Sequence, residues 1–175
     1  VLMILLSLSV GIMAQPINDV CTNATTVTTG ATCTLGNLAF GTLCGATGVA
    51  DATCTGTEDD DVWFKFVATS TSQNITITLP NSLVTASFDF VHQVYSGTCT
   101  SLVSKYCSDL NTSTNATYVV GDTYYIRVYS WTATTGQMQN FGVCVSDPLP
   151  PPSNDLCSGA LPVTVSSVGC EIANV

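Results

Sequence analysis

The chain has 175 residues, 12 of them acidic and only 3 lysine or arginine, for a net charge of −9. So few basic side chains exclude a nucleic-acid partner, whose phosphates are bound by clustered Lys and Arg, and give no hold on an anionic membrane surface. Nine cysteines with no C-x-x-C pair leave zinc-finger and thioredoxin-type chemistry unsupported, and in an exported chain scattered cysteines read as disulfides.

Residues 1–14, VLMILLSLSVGIMA, form an uncharged apolar run. It is too short for an ordinary bilayer-spanning helix and fits the h-region of a secretory signal. Ala14 before Gln15 is a plausible cleavage point, although Ile12 is larger than the usual residue at −3. The charged n-region is missing, so the expectation is an N-terminally truncated signal peptide, with no stable membrane insertion after its removal. The competing reading is a buried or anchoring helix.

After this run no amphipathic helical period is found, whereas period-two alternation is frequent. In DVWFKFVAT (61–69), Val62, Phe64 and Phe66 share one face, with Trp63, Lys65 and Val67 opposite. NITITL (74–79) sets Ile75, Ile77 and Leu79 against Asn74, Thr76 and Thr78. FDFVHQVYSG (88–97) and FGVCVS (141–146) read as further strands. TYYIRVYS (123–130) places Tyr124, Ile126 and Val128 opposite Tyr125, Arg127 and Tyr129. Short strands separated by Gly and Asn turns predict an all-β fold, an antiparallel two-sheet β-sandwich.

The beginning and end of the sequence echo each other. NDVCTNA at 18–24 returns as NDLCSGA at 154–160, and in both places another cysteine follows, Cys33 after Cys21 and Cys170 after Cys157. Between them PLPPPS (148–153) reads as a stiff proline-rich linker. The expected organisation is one sandwich module over 18–147, the linker over 148–153, and the start of a second, truncated module over 154–175.

The densest charge is EDDD, Glu58 to Asp61. Adjacent carboxylates repel unless solvated or neutralised, and hard oxygen ligands suit Ca²⁺. A calcium site would draw on Glu58, Asp59, Asp60 and Asp61 together with Asp89 and Asp109. The run lacks EF-hand spacing, and a solvated turn before Trp63 is the competing reading. No catalytic pattern stands out. The single histidine, His92, sits within a strand, and no nucleophile elbow or phosphate loop is present; the expectation is a protein that is not an enzyme. Trp131, Tyr129 and Tyr95 are the candidate contacts for a sugar ring or a surface protein, with completion of the core as the alternative. The sequons at Asn23, Asn74, Asn111 and Asn115 read as incidental to a Thr-rich sequence.

In order, NDxCxxA, DDDVWFKFVAT, VYSGTCTSL, a further Cys, GDTYYIRVYS, FGVCV and the proline-rich linker resemble the repeated β-sandwich modules of secreted and surface proteins of Bacteroidota. Those proteins often carry a type IX secretion sorting domain. The resemblance covers nearly all of residues 18–170. It implies a jelly-roll or CUB-like sandwich at the cell surface, and CUB-like modules lend some weight to calcium. The expected function is a non-catalytic module for adhesion or for carbohydrate or protein binding. A passive spacer repeat and an accessory domain of a secreted hydrolase are the alternatives.

Seven cysteines fall in the first module, so three bridges and one leftover are expected. Cys99 with Cys107 is the favoured pair. Cys21 with Cys144 is a second possibility, and Cys54 could meet Cys33 or Cys44. Sequence alone leaves the connectivity and the fate of Cys44 open.

Overall fold

The alternating segments do become strands, and they stack in two sheets. The computed structural model describes residues 14–49, 53–132 and 139–163; the expected signal segment, apart from Ala14, and Cys170 lie outside these. Nine strands follow in chain order: β1 Thr25–Thr26, β2 Ala39–Thr42, β3 Val62–Val67, β4 Gln73–Thr78, β5 Phe90–Thr98, β6 Ser101–Ser108, β7 Thr112–Asn115, β8 Thr123–Ser130 and β9 Asn140–Ser146. One sheet has the order β1-β3-β8-β5-β6 and the other β2-β9-β4-β7. Neighbouring strands pair antiparallel, except that β1 runs parallel to β3. The fold is a β-sandwich.

The core follows from the alternation. Val62, Phe64 and Phe66 of β3, Ile75 and Ile77 of β4, Ile126 and Val128 of β8, and Phe141, Val143 and Val145 of β9 are buried in one cluster. Burying a side chain of this size contributes about 1.5–3 kcal/mol. The sheets meet through edge-on rings such as Phe64 and Phe141, 5.9 Å apart. Leu79, expected to continue the apolar face of β4, lies one residue beyond the strand and is exposed; Pro80 follows it and has no N–H to carry the ladder on.

The second face of the five-stranded sheet is also covered, because the loop between β2 and β3 folds over it. Tyr129 Oη donates to the Thr55 carbonyl at 2.7 Å, Thr57 N donates to the Trp131 carbonyl, and Arg127 donates to the Val49 carbonyl. The segment before β1 adds Ala24 to a small cluster with Trp63 and Tyr95. Residues on both faces of β8 are therefore buried, which a period-two reading cannot announce.

The disulfides join Cys21 to Cys99, Cys33 to Cys144 and Cys54 to Cys107, with Cα–Cα separations of 5.5, 5.9 and 5.5 Å. All six candidate cysteines are used, and Cys44 is free, but the expected partners are wrong. Cys99 lies in the β5–β6 turn, whereas Cys107 is near the far end of β6. At about 3.4 Å per strand residue they stand more than 20 Å apart, and a disulfide needs Cα atoms within about 7 Å. Cys144 lies on β9 of the four-stranded sheet, while Cys21 leans on the other sheet beside Trp63. Cys54, in the covering loop, reaches neither Cys33 nor Cys44 but the edge strand β6. The three bridges fit an oxidising compartment, and no described helix is long and apolar enough to cross a membrane.

Candidate functional site

The acidic run does not converge on a metal position. Asp60 is buried and accepts from Ser130 N at 2.9 Å and Ser130 Oγ at 2.8 Å. Asp61 is buried and accepts from Arg127 Nη2 at 2.6 Å, Trp63 Nε1 at 2.8 Å and Val49 N at 3.1 Å. Glu58 adds a second carboxylate 3.6 Å from Arg127 Nη1, while Asp59 is exposed. Burial pushes both the Asp60 and Asp61 carboxyls up from the ordinary value, against the pull of those donors. Arg127 also lies 5.8 Å from the Trp63 ring centre and 5.3 Å from that of Tyr129, within cation–π range. The run is thus a buried electrostatic anchor rather than a solvated turn. Asp89 and Asp109 are exposed, and the Asp109 carboxyl is raised by desolvation and then by the charge of Asp89. Among the described residues no group of three His, Cys, Asp or Glu side chains could hold a metal ion, so the calcium grouping is not assembled.

The expected aromatic contacts are mostly spent inside. Tyr95 is buried with its ring centre 5.5 Å from that of Trp63, and Tyr129 is buried under the covering loop. Neither can stack on a ligand. Trp131 is half-buried just after β8. His92 is fully buried, its Nε2 2.6 Å from Ser113 Oγ, and burial lowers its pKa to about 4. It belongs to a hydroxyl network that continues through Tyr106 to Tyr118, with no route for a substrate to a ring so enclosed.

A different place on the molecule has the properties of a binding site. Strands β1 and β2 are edge strands of their respective sheets, and between them opens a cleft of 640 Å³. Alternation on β2 sets its chemistry. Ala39 is buried, and a side chain at Gly41 would strike the Phe64 and Phe141 rings. These two positions therefore face the core, and Phe40 and Thr42 face out. Phe40 pairs with Gly142, which has no side chain to cover the ring, and the ring is 50% exposed. Ile17 and Pro80 supply further apolar surface, while Thr25, Thr42, Asn81 and Asn140 supply polar groups. Asn81 holds the left-handed turn after β4, with φ of 52°, a conformation that Asn tolerates better than most residues. Asn81 and Asn140 are exposed, so their amides stand open to solvent and to a ligand. An exposed aromatic face with exposed amides beside it can take an apolar ring face and its hydroxyls together.

Phe40 escapes a sequence reading because AFGT carries a glycine and looks like a turn. Its only signal is an aromatic residue between small ones, with the glycine that opposes it a hundred residues away. Comparison of the sequence with protein-family models and with curated proteins finds no match to either.

Proposed function

We infer that this chain is a non-catalytic binding module of an exported or cell-surface protein, and that it holds a polysaccharide chain, or an apolar side chain of a surface protein, in the Phe40 cleft. The observation that carries the reading is the half-exposed Phe40 ring flanked by the exposed amides of Asn81 and Asn140. Apolar surface with a few convergent polar groups is the usual make-up of small-ligand sites. The resemblance to surface modules of Bacteroidota supports the location, and three disulfides suit it.

A spacer role is the alternative, favoured by the exposed proline-rich stretch after β9, where residues 149–158 are all exposed. Screening the protein against a panel of polysaccharides and oligosaccharides separates the two. Binding that falls at least about tenfold in Phe40→Ala, the loss expected of a well-packed aromatic anchor, with unchanged melting, is the expected result. Binding that tracks Trp131→Ala instead would move the site, and no binding to any glycan or surface protein would leave the spacer.

A further inference from the structure

The β2–β3 loop covers only part of the outer face of the five-stranded sheet. Arg127 and Tyr129 lie beneath it. Further along the same face, Lys65 and Val67 of β3 with Thr123 and Tyr125 of β8 line an open groove of 440 Å³, a volume in the range of ligand pockets. Thr26 of β1 and Thr98 at the end of β5 stand at its sides.

The register fixes what stands next to what. Across the sheet Thr26 pairs with Lys65, Lys65 with Tyr125, and Tyr125 with Tyr95. Cβ atoms of such partners lie about 4.5–5.5 Å apart. Tyr125 packs against the buried Trp63 and Tyr95, which brace its ring, and it remains half-buried. Opposite charges on neighbouring strands stabilise a sheet, and this chain has 12 acidic residues against 3 basic ones. Yet both cross-strand partners of Lys65 are uncharged, and no Asp or Glu lines the groove. Of the other two basic residues, Arg127 is spent inside on Asp61 and Glu58, and Lys105 lies on the edge strand β6. One positive charge is thus set beside a braced ring and three hydroxyls.

We propose that this groove binds an acidic sugar unit, a uronic acid carried singly on an otherwise neutral glycan. The apolar face of its ring lies on Tyr125, its carboxylate pairs with the Lys65 ammonium, and its hydroxyls meet Thr26, Thr98 and Thr123. One ammonium matches one carboxylate, and a densely charged polyanion is disfavoured by the net charge of −9. The site is separate from the Phe40 cleft and does not rest on it. Thr25 lines that cleft and Thr26 this groove, and successive residues of a strand point to opposite sides.

NMR titration of the full chain tests the assignment, with oligosaccharides that carry one glucuronic, galacturonic or mannuronic acid unit, each beside its carboxyl-reduced form. At least one acid form should shift the amides of Lys65, Thr123 and Tyr125. Its reduced form should bind about ten- to a hundredfold more weakly, the loss expected of a hydrogen bond to a charged group. Lys65→Met should remove the preference for the acid form, Lys65→Arg should keep it, and Phe40→Ala should leave it unchanged. Unaltered melting certifies the variants; if Lys65→Met does not fold, the comparison of acid and reduced sugars on the unsubstituted protein decides. Silence at Lys65 and Tyr125 with every acid sugar overturns the proposal. So does equal affinity for the reduced sugars, or an acid preference that survives Lys65→Met or is lost in Phe40→Ala. Loss of neutral-glycan binding in Phe40→Ala is a separate result, which concerns the other cleft alone.

Discussion

Replacing Asp61 by Asn separates the two roles that four adjacent acids can have, a metal site and an internal anchor. The substitution keeps the shape and removes the charge. Asp61 accepts through both oxygens: Trp63 Nε1 on Oδ1, Val49 N and Arg127 Nη2 on Oδ2. An Asn side chain has one acceptor and one NH₂ group. Whichever way it turns, its NH₂ faces a donor, and the Arg127 cation loses its closest counter-charge in a place where the arginine is only 2% exposed. Breaking one side of a buried ion pair costs about 3–5 kcal/mol. Glu58, 3.6 Å from Arg127, offsets part of this, so the loss should fall at the low end, about 3 kcal/mol.

Urea unfolding, followed by Trp63 and Trp131 fluorescence, reads the change directly. The decisive comparison is between chelator and millimolar Ca²⁺. An internal anchor predicts the same loss for Asp61→Asn in both, because the partner is Arg127. A calcium site predicts little loss in chelator and a large one in Ca²⁺, where the wild type gains RT ln(1 + [L]/Kd). A change below about 1 kcal/mol in chelator would refute the reasoning, since a pair worth so little is behaving as a solvent-screened surface contact.

Three further outcomes are expected. The buried His92 takes up its proton only near pH 4, whereas the unfolded chain does so near 6.5. The unfolded state therefore binds more protons in that window, and stability should fall as pH drops from about 6.5 to 4, by about 3 kcal/mol; His92→Leu should flatten this part of the pH–stability curve, and an unchanged slope would show that the imidazole protonates freely. Gly41→Ala places a methyl 2.7 Å from Phe64 and 2.8 Å from Phe141, so overpacking should cost about 1–3 kcal/mol; an unaltered denaturation midpoint would mean that the rings yield without strain. Peptide mapping of residues 15–147 of the oxidised protein should return Cys21–Cys99, Cys33–Cys144 and Cys54–Cys107, with Cys44 the one modified thiol of that stretch; a Cys99–Cys107 peptide would contradict the β5–β6 hairpin.

The strands were legible where one face is apolar and the other polar. NITITL lies within a residue of β4, because a core on one side leaves a period of two in the sequence. The short edge strands β1, β2 and β7 carry no such period and escaped, as did the longer edge strand β6. The disulfide partners escaped for a related reason. Cysteine pairing depends on which sheet and which turn each residue occupies, and a hairpin that looks like a short loop in the sequence puts Cys99 and Cys107 at opposite ends of β6.

The misreading of EDDD and of the aromatics has one shared cause, and it bears on where ligands can act. Charge in a sequence reads as surface, and the residues between apolar strand positions read as the solvent side. Here the β2–β3 loop closes over that side, tied down by Cys54–Cys107 and by the bonds of Thr55, Thr57 and Val49. Arg127 enters the covered space with one strong acceptor set, Asp61, while Tyr95, Tyr129 and Trp63 pack around it. The acids and rings that resembled a site are what attach the loop to the sheet. Once they are so used, exposed aromatic surface must come from elsewhere, and the edge where both sheets end supplies it. Among the described residues neither β1 nor β2 has a further strand beyond it, and Phe40 has a glycine opposite. A ligand on that edge touches no residue of the buried anchor. Phe40→Ala should therefore weaken binding without the stability loss of Asp61→Asn, and Asp61→Asn should unfold the module without altering the affinity of the molecules that remain folded.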